Sequence, residues 1–528
     1  MLDSGIVFDH RHFARIFYDL LYSYDRRSAL LGVIVCLAAL LWTNPAPLLR
    51  LVDYLGRHPA VTALALAPLF AACAVGIYKN YPLSMDEYAA VFQSKVFASG
   101  RLAAQLPPGL VPWLIAPGFN GHFLLISTQT GRAIESYWPG FAFVLAPFQL
   151  LGIPWLCNAT LAGLGVFLIH RITFDVTGDR RAAGWASLFA IASSAFWANA
   201  ISYYSMQAHL TANLLYAWLL LKPTRARSFS AGLVGSLALL LHNPFPHMLF
   251  AAPWLIALAQ DRGTRRRLIP LAFGYLPAIA VGLGWVWLRN DIMPAAPSTA
   301  LAATLRSVFM LPDADILNMR AAAVVKMWVW ALPCLFYFAF LGYLRARDNR
   351  YVRLLMLSAI CTFVGYLFVS FDQGHGWGYR YFHSAWGVVP ILAACALTER
   401  PEAGRGLVAF AGASAVLSLL VLVPFQLIQI DAFITSHLAM LPPAKRPGGN
   451  VYFIDFRGGY YIADMIQMDP LLRSDDLYLA SWGSGLDEGL IQRYWPGAAR
   501  CGGAPGVVQW CLGDAPAHAA GSGGFIPR

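Results

Sequence analysis

The stretch Met85-Asp86-Glu87-Tyr88, continuing through Ala89 to Leu102 as AAVFQSKVFASGRL, sets an adjacent Asp–Glu pair just beyond a long apolar segment. Carboxylates beside a bilayer are costly to desolvate, which makes a functional reading the default. A solvated pair in a loop is the alternative, and spacing alone does not separate the two. The rest of the chain bears on the choice.

Around that pair the chain is mostly membrane. It is 58% hydrophobic and only 12% charged, with a mean hydropathy of +0.56. Apolar runs recur near 28–45, 60–78, 153–170, 183–200, 208–221, 229–241, 246–260, 268–288, 325–343, 353–370, 383–398 and 406–429. Most are long enough to cross or nearly cross the hydrocarbon core. The composition therefore predicts an all-α polytopic membrane protein with about 11–13 transmembrane helices. The N-terminal MLDSGIVFDHRHFARIFYDLL is too polar and aromatic for a cleavable signal peptide.

The net charge of +11 raises a nucleic-acid partner, but its distribution argues against one. Arginine and lysine gather in alternate loops, at 171–181, 222–227, 262–267, 345–353 and 400–405, and thin out in the loops between. That is the positive-inside pattern, and it places the basic loops in the cytoplasm. Parity then puts 79–152 outside, as the first external loop. Residues 137–152 are apolar but short and carry Pro139 and Pro147, so they read as a helix dipping into the outer leaflet. Segment 28–45 then either spans, leaving the N-terminus external, or forms a re-entrant element on the cytoplasmic side, and Arg26 and Arg27 favour the second by favouring a cytoplasmic N-terminus.

Two domains are expected, a transmembrane domain over 1–430 and a small α/β external domain over 431–528. In the latter, Val451–Phe456 and Leu477–Ala480 read as strands, and Met465–Leu472 and Asp487–Tyr494 as short helices. Six of the eight cysteines lie in or beside apolar segments and read as packing residues. Cys501 and Cys511 fall in the external tail, where a disulfide fits an exported compartment.

Glycosyl transfer from a lipid-linked sugar needs a carboxylate to take the acceptor proton, a cation for the departing phosphate, and an apolar groove for the polyprenyl chain. Asp86 or Glu87 fits the base. Arg380, in Gly376-Trp377-Gly378-Tyr379-Arg380-Tyr381 just before a span, fits the phosphate cation, because its planar fork matches phosphate oxygens. A snorkelling arginine in an aromatic belt is the alternative. Two further turns are polar at membrane depth, Ser202 to His209 and His242-Asn243-Pro244. Their histidines fit either head-group contacts or hydrogen-bonded structural roles. His122, Glu135, Asp313, Asp315 and His383 are weaker candidates for acceptor or sugar contacts. No His-Glu-x-x-His spacing points to a metal, and no phosphate-binding glycine loop points to nucleotide-driven transport.

In order, Asp-Glu-x-Ala-x-x-x-Gln ending in Gly-Arg-Leu, then Tyr137-Trp138-Pro139-Gly140, Gly152-Ile153-Pro154-Trp155, Gly178-Asp179-Arg180-Arg181, Ser202-Tyr203-Tyr204-Ser205 with His209, His242-Asn243-Pro244 and Gly376 to Tyr381 resemble bacterial membrane glycosyltransferases of the GT-C superfamily. The branch it looks like contains the protein O-mannosyltransferases and the lipid A aminoarabinose transferase. The resemblance covers about 60–500 and implies a GT-C fold with the catalytic acid, here Asp86 with Glu87 beside it, in the first external loop. It also implies an inverting enzyme of the bacterial inner membrane, facing the periplasm. Its donor would be a polyprenyl-phosphate sugar and its acceptor an envelope glycan, lipid or protein. Where relatives often have Arg-Pro, this chain has His242-Asn243-Pro244, so phosphate binding shifts to Arg380 with Lys95 and Arg101. Substrate contacts are then expected from Tyr88, Tyr137, Trp138, His209, His242, Asn243, His375, Tyr379 and Tyr381. No cofactor is expected, and a divalent ion stays open. A lipid-linked-sugar flippase and a non-catalytic scaffold are the competing readings.

Overall fold

A computed structural model of the chain describes residues 16–294, 311–369, 376–398, 404–445 and 449–512. Among these, five helices are long and apolar enough to cross a membrane: Pro59–Gly76, Leu156–Thr177, Arg265–Ile292, Arg350–Phe368 and Arg405–Leu438. In hydrocarbon every backbone N–H and C=O must be satisfied within its own segment, and the helix does this. The other apolar runs form shorter or interrupted helices packed among them, including Met206–Leu220, Arg225–Leu240 and Phe245–Gln260. The protein is an all-α, multi-pass membrane protein with small sheets at one end.

Two expected spans are broken. The run at 183–200 divides into Arg180–Ile191 and Ser194–Ile201, and that at 325–343 into Ala314–Val329 and Leu335–Ala346. The two interruptions meet inside the bundle. The Trp330 carbonyl accepts from the Ala195 N–H at 2.8 Å, and Ser193 Oγ accepts from the Leu332 N–H at 3.1 Å. Each break supplies a partner that the other lacks, so irregular backbone persists away from lipid.

The N-terminal segment corrects the re-entrant expectation. Residues 16–40 form one continuous helix with a π turn at Leu21–Asp25. It runs antiparallel to Arg405–Leu438: Ser28 Oγ donates to Gln429 Oε1 at 2.9 Å toward one end, and Ala39 packs with Leu48 and Ala413 toward the other. Tyr24 rests against Trp377 and Phe433. Arg26 and Arg27 therefore lie at the end that carries Asp86, opposite the basic loops. Just before them, the buried carboxylate of Asp25 pairs with buried Lys326 at 2.5 Å and accepts from Trp330 Nε1 at 2.6 Å.

The first polar loop and the tail fold together as one cap. The loop supplies the helix Met85–Ala98 and an antiparallel sheet of β1 (Ala104–Gln105), β2 (Leu124–Ile126) and β3 (Arg132–Glu135), in the order β1-β3-β2. The tail supplies β4 (Asn450–Ile454), β5 (Asp476–Ala480), β6 (Ala499–Ala504) and β7 (Val507–Cys511), in the order β5-β4-β7-β6. Only β4 and β5 are parallel. Phe92, Phe119 and Ile126 from the loop share a single core with Val451, Phe453 and Leu479 from the tail. Arg405–Leu438 runs past the division expected at 430 before this sheet begins.

Within the tail, Met465–Leu472 is not helical. Pro470 lacks the N–H that a helix needs and steers Asp469 away from helical angles. Met465, Ile466 and Met468 are buried in the cap core instead. The hairpin β6–β7 has no signature in the sequence because its glycine-rich first strand shows no alternation, and a Cys501–Cys511 disulfide ties its two strands.

Candidate functional site

Ser84, in extended conformation, starts the helix Met85–Ala98, so Asp86 and Glu87 fall in its first turn, where the helix dipole favours negative charge. Neighbouring residues on a helix point about 100° apart, so the two carboxylates face different surroundings. Their surroundings confirm the division.

Glu87 points into the protein and is fully buried. Its carboxylate accepts from the Leu83 N–H at 3.0 Å, the Tyr203 N–H at 2.8 Å and the Tyr78 hydroxyl at 3.2 Å. Burial pushes its carboxyl up to about 8, against the lowering effect of the Tyr203 N–H, Arg380, Tyr78 and the Leu83 N–H. Glu87 ties the helix to the turn at Tyr203. That position corrects its expected catalytic role.

Asp86 points the other way, with 27% of its side chain exposed. The Tyr137 hydroxyl donates to Oδ1 at 2.5 Å, and Arg380 Nη2 lies 3.4 Å from Oδ2. Burial works to raise this carboxyl. Arg380, foremost, and the Tyr137 hydroxyl that donates to it outweigh burial and hold the group below its ordinary value. Asp86 is therefore ionised and oriented.

Each partner has a local reason to be there. Arg380 opens the helix Arg380–Trp386, is 3% exposed, and lays its guanidinium over the Tyr204 ring at 3.9 Å. Gly376, at φ +119°, lets the preceding turn fold onto it, since a Cβ there would collide with the Arg380 side chain. Tyr137 comes just after β3 and lies tilted at 40° against the His242 ring with centroids 3.9 Å apart, while its carbonyl accepts from Trp285 Nε1 at 2.8 Å. Three residues on, Gly140 touches the Leu240 backbone at 2.6 Å from where a Cβ would stand. That close approach brings the Tyr137 and His242 turns together. Burial pushes His242 down to about 4, so this imidazole is neutral.

Of the expected residues, Asp86, Arg380, Tyr137 and His242 come together, and Tyr381 lies close enough to act electrostatically on Arg380 and Tyr137. The others do not join them. Lys95 is about 13 Å further along its helix than Asp86 and faces Asp469 at 3.7 Å. Arg101 is exposed beyond that helix. Tyr88 is buried in the cap, donating to the Met468 carbonyl at 2.5 Å. Trp138 packs on Gly282 and the cluster around Trp285. Asn243 accepts from the Phe245 N–H at the start of its helix. His209 is fully buried inside the bundle, and Tyr379 is buried beside Tyr381. His375 lies outside the described residues.

Of the weaker candidates, His122 lies near enough to Asp86 to interact with it electrostatically, and the others are dispersed. Asp313 caps the Ile316 N–H, His383 sits between Asn199 and Gln207, and Glu135 is buried near Arg289. Tyr204 is a site residue that sequence reasoning misses, although its Ser-Tyr-Tyr-Ser turn is legible. Asp464 is another: its carboxylate reaches from the tail to accept from the Met85 N–H at 3.3 Å, with no nearby signal in sequence. No group of three His, Cys, Asp or Glu side chains gathers in metal-binding geometry among the described residues.

No protein-family model matches the chain, and no curated protein matches it. Solved structures do. A structure of ArnT from Cupriavidus metallidurans bound to undecaprenyl phosphate is similar, with a TM-score of 0.54 and 13% identity, over 86% of this chain and 98% of that one. The same protein in the apo state gives a TM-score of 0.53 and 13% identity, over 85% and 97%. At this identity the likeness shows the fold alone: this chain shares the fold of those ArnT structures.

Proposed function

We propose that the chain is an inverting glycosyltransferase that moves a sugar from a polyprenyl-phosphate donor to an envelope glycan, lipid or protein, with its active site on the periplasmic face. The observation that carries this reading is the half-open Asp86 carboxylate, held between the Tyr137 hydroxyl and the Arg380 guanidinium where the apolar bundle meets the cap. Support comes also from ArnT, which shares the fold and was solved with undecaprenyl phosphate.

In this mechanism Asp86 Oδ2 takes the proton of the acceptor hydroxyl as its oxygen attacks the anomeric carbon from the face opposite the phosphate. The bond between that carbon and the phosphate oxygen breaks, and its electron pair leaves as polyprenyl phosphate. Attack from the opposite face inverts the centre. Arg380 serves both partners in turn. It holds Asp86 ionised in the free protein, and a donor phosphate, the stronger anion, competes for its fork. As the guanidinium turns to phosphate, Asp86 loses its main stabilising charge and becomes a stronger base. The neutral His242 under Tyr137 keeps a second cation from weakening that base further.

The test is mass spectrometry of envelope glycans and glycolipids from a strain lacking this chain, complemented with wild type or Asp86→Asn. Loss of a general base costs about 10²–10⁴ in rate. One defined sugar should disappear, and only the wild type should restore it. Equal restoration by Asp86→Asn would remove the catalytic assignment and favour transport.

A further inference from the structure

Arg26 and Arg27 run against the charge distribution of the rest of the chain. They lie at the Asp86 end, away from the basic loops. At that end Lys79 meets Asp431 at 2.6 Å and Lys95 meets Asp469 at 3.7 Å. Arg26 and Arg27 are exposed and make no ion pair or hydrogen bond among the described residues. The nearby carboxylate of Asp25 is committed to Lys326 and Trp330. Two adjacent exposed arginines with no ion pair among the described residues, at a helix position flanked by exposed leucines, call for an anion.

An apolar groove starts at the same place. It lies between residues 16–40 and Arg405–Leu438, has a volume of 550 Å³, and is lined by Leu30, Ile34, Leu420, Pro424 and Phe425, with Arg27 in its wall. Leu30, Ile34 and Leu420 are 65%, 52% and 68% exposed, so the groove opens sideways, toward the bilayer. Its walls offer hydrocarbon to a chain and almost nothing to a peptide backbone. None of its lining residues belongs to the candidate active site, and the rings of Tyr24, Trp377 and Phe433, which meet edge-on at 6.5 Å and 5.8 Å, are not part of its wall.

We propose that this groove binds one acyl chain of an anionic glycerophospholipid from the surrounding bilayer, with Arg26 and Arg27 on its phosphate. The charge of the two arginines complements the headgroup, and arginine's fork suits phosphate oxygens. The groove shares no lining residue with the candidate active site, so this is a bound lipid of the bundle and not a substrate. It clamps the first helix to Arg405–Leu438 at the level where Gln429 joins them.

The experiment is native mass spectrometry of the purified full chain with dioleoyl-phosphatidylglycerol or dioleoyl-phosphatidylcholine at equal concentration. Two arginines near the headgroup should favour phosphatidylglycerol by about thirtyfold. Arg26→Gln with Arg27→Gln should remove that preference, and Ile34→Trp should fill the groove and weaken retention of both lipids. Asp86→Asn should bind as wild type does, which separates this site from the catalytic proposal. Equal retention of the two lipids by wild type, or an undiminished preference in the double variant, overturns the assignment. Displacement of phosphatidylglycerol by equimolar undecaprenyl phosphate would give the groove to the donor and overturn it as well.

Discussion

Arg380 sets the strength of Asp86 as a base. Burial alone would raise the Asp86 carboxyl, and Arg380 is the foremost of the groups that bring it below its ordinary value. In Arg380→Gln that effect is gone, so Asp86 should take up its proton at higher pH. The acid limb of the kcat/KM profile should then move upward, alongside weaker donor binding, and an unmoved limb would show that another group is the base. Glu87 behaves in the opposite sense, because burial pushes its carboxyl from 4.5 up to about 8. Between those values the folded chain holds a proton that the unfolded chain has released. Its contribution to stability is whole below the lower value and is lost as pH rises through the upper one. Thermal unfolding in detergent should show wild type losing stability between about pH 5 and about pH 9, with Glu87→Gln losing less. Parallel slopes would mean that Glu87 is ionised in the fold.

Elements show where reading from sequence succeeds and where it stops. Hydrophobic runs locate most helices because burial in lipid is written into local composition. The breaks at Ser193 and Trp330 are not, since each is stable only because the other, far along the chain, answers its backbone groups. The Arg26-Arg27 pair points the first helix the wrong way, because charge counting treats every arginine as topological. Asp86 and Arg380 are recognisable by the chemistry each suits, although 294 residues separate them. Glu87 is not separable from Asp86 until the helix start fixes which face each occupies. Tyr204 becomes a site residue only through the Arg380 guanidinium that lies on its ring. The first helix also carries the ion pair most exposed to test. Asp25 and Lys326 are 2% and 1% exposed, so removing one partner strands a buried charge at a cost of about 3–5 kcal/mol. Lys326→Met should lower the melting temperature markedly, whereas Lys326→Met with Asp25→Leu should recover much of the loss. A single variant as stable as wild type would show that water reaches the pair.

At the scale of the whole molecule, the cap and the bundle meet on one short helix. Met85–Ala98 takes its core contacts from the tail through Tyr88 and Phe92 and its Glu87 tether from the bundle at Tyr203. The tail also supplies the Asp464 carboxylate that accepts from the Met85 N–H at 3.3 Å, while Ser84, which would ordinarily cap the helix, gives its hydroxyl to Tyr204 at 3.0 Å. A segment nearly four hundred positions away thus finishes the N-terminus that presents Asp86. Loss of such a cap costs about 1 kcal/mol, too little to unfold the chain but enough to loosen the first turn. Asp464→Ala should therefore lower kcat about tenfold through misplacement of the base, with donor affinity close to wild type because Arg380 is untouched. Arg457→Ala, an exposed change in the same tail at a residue paired with Asp455, should leave kcat as it is. If Asp464→Ala also keeps full kcat, the tail is a passive appendage and Asp86 is positioned by the bundle alone.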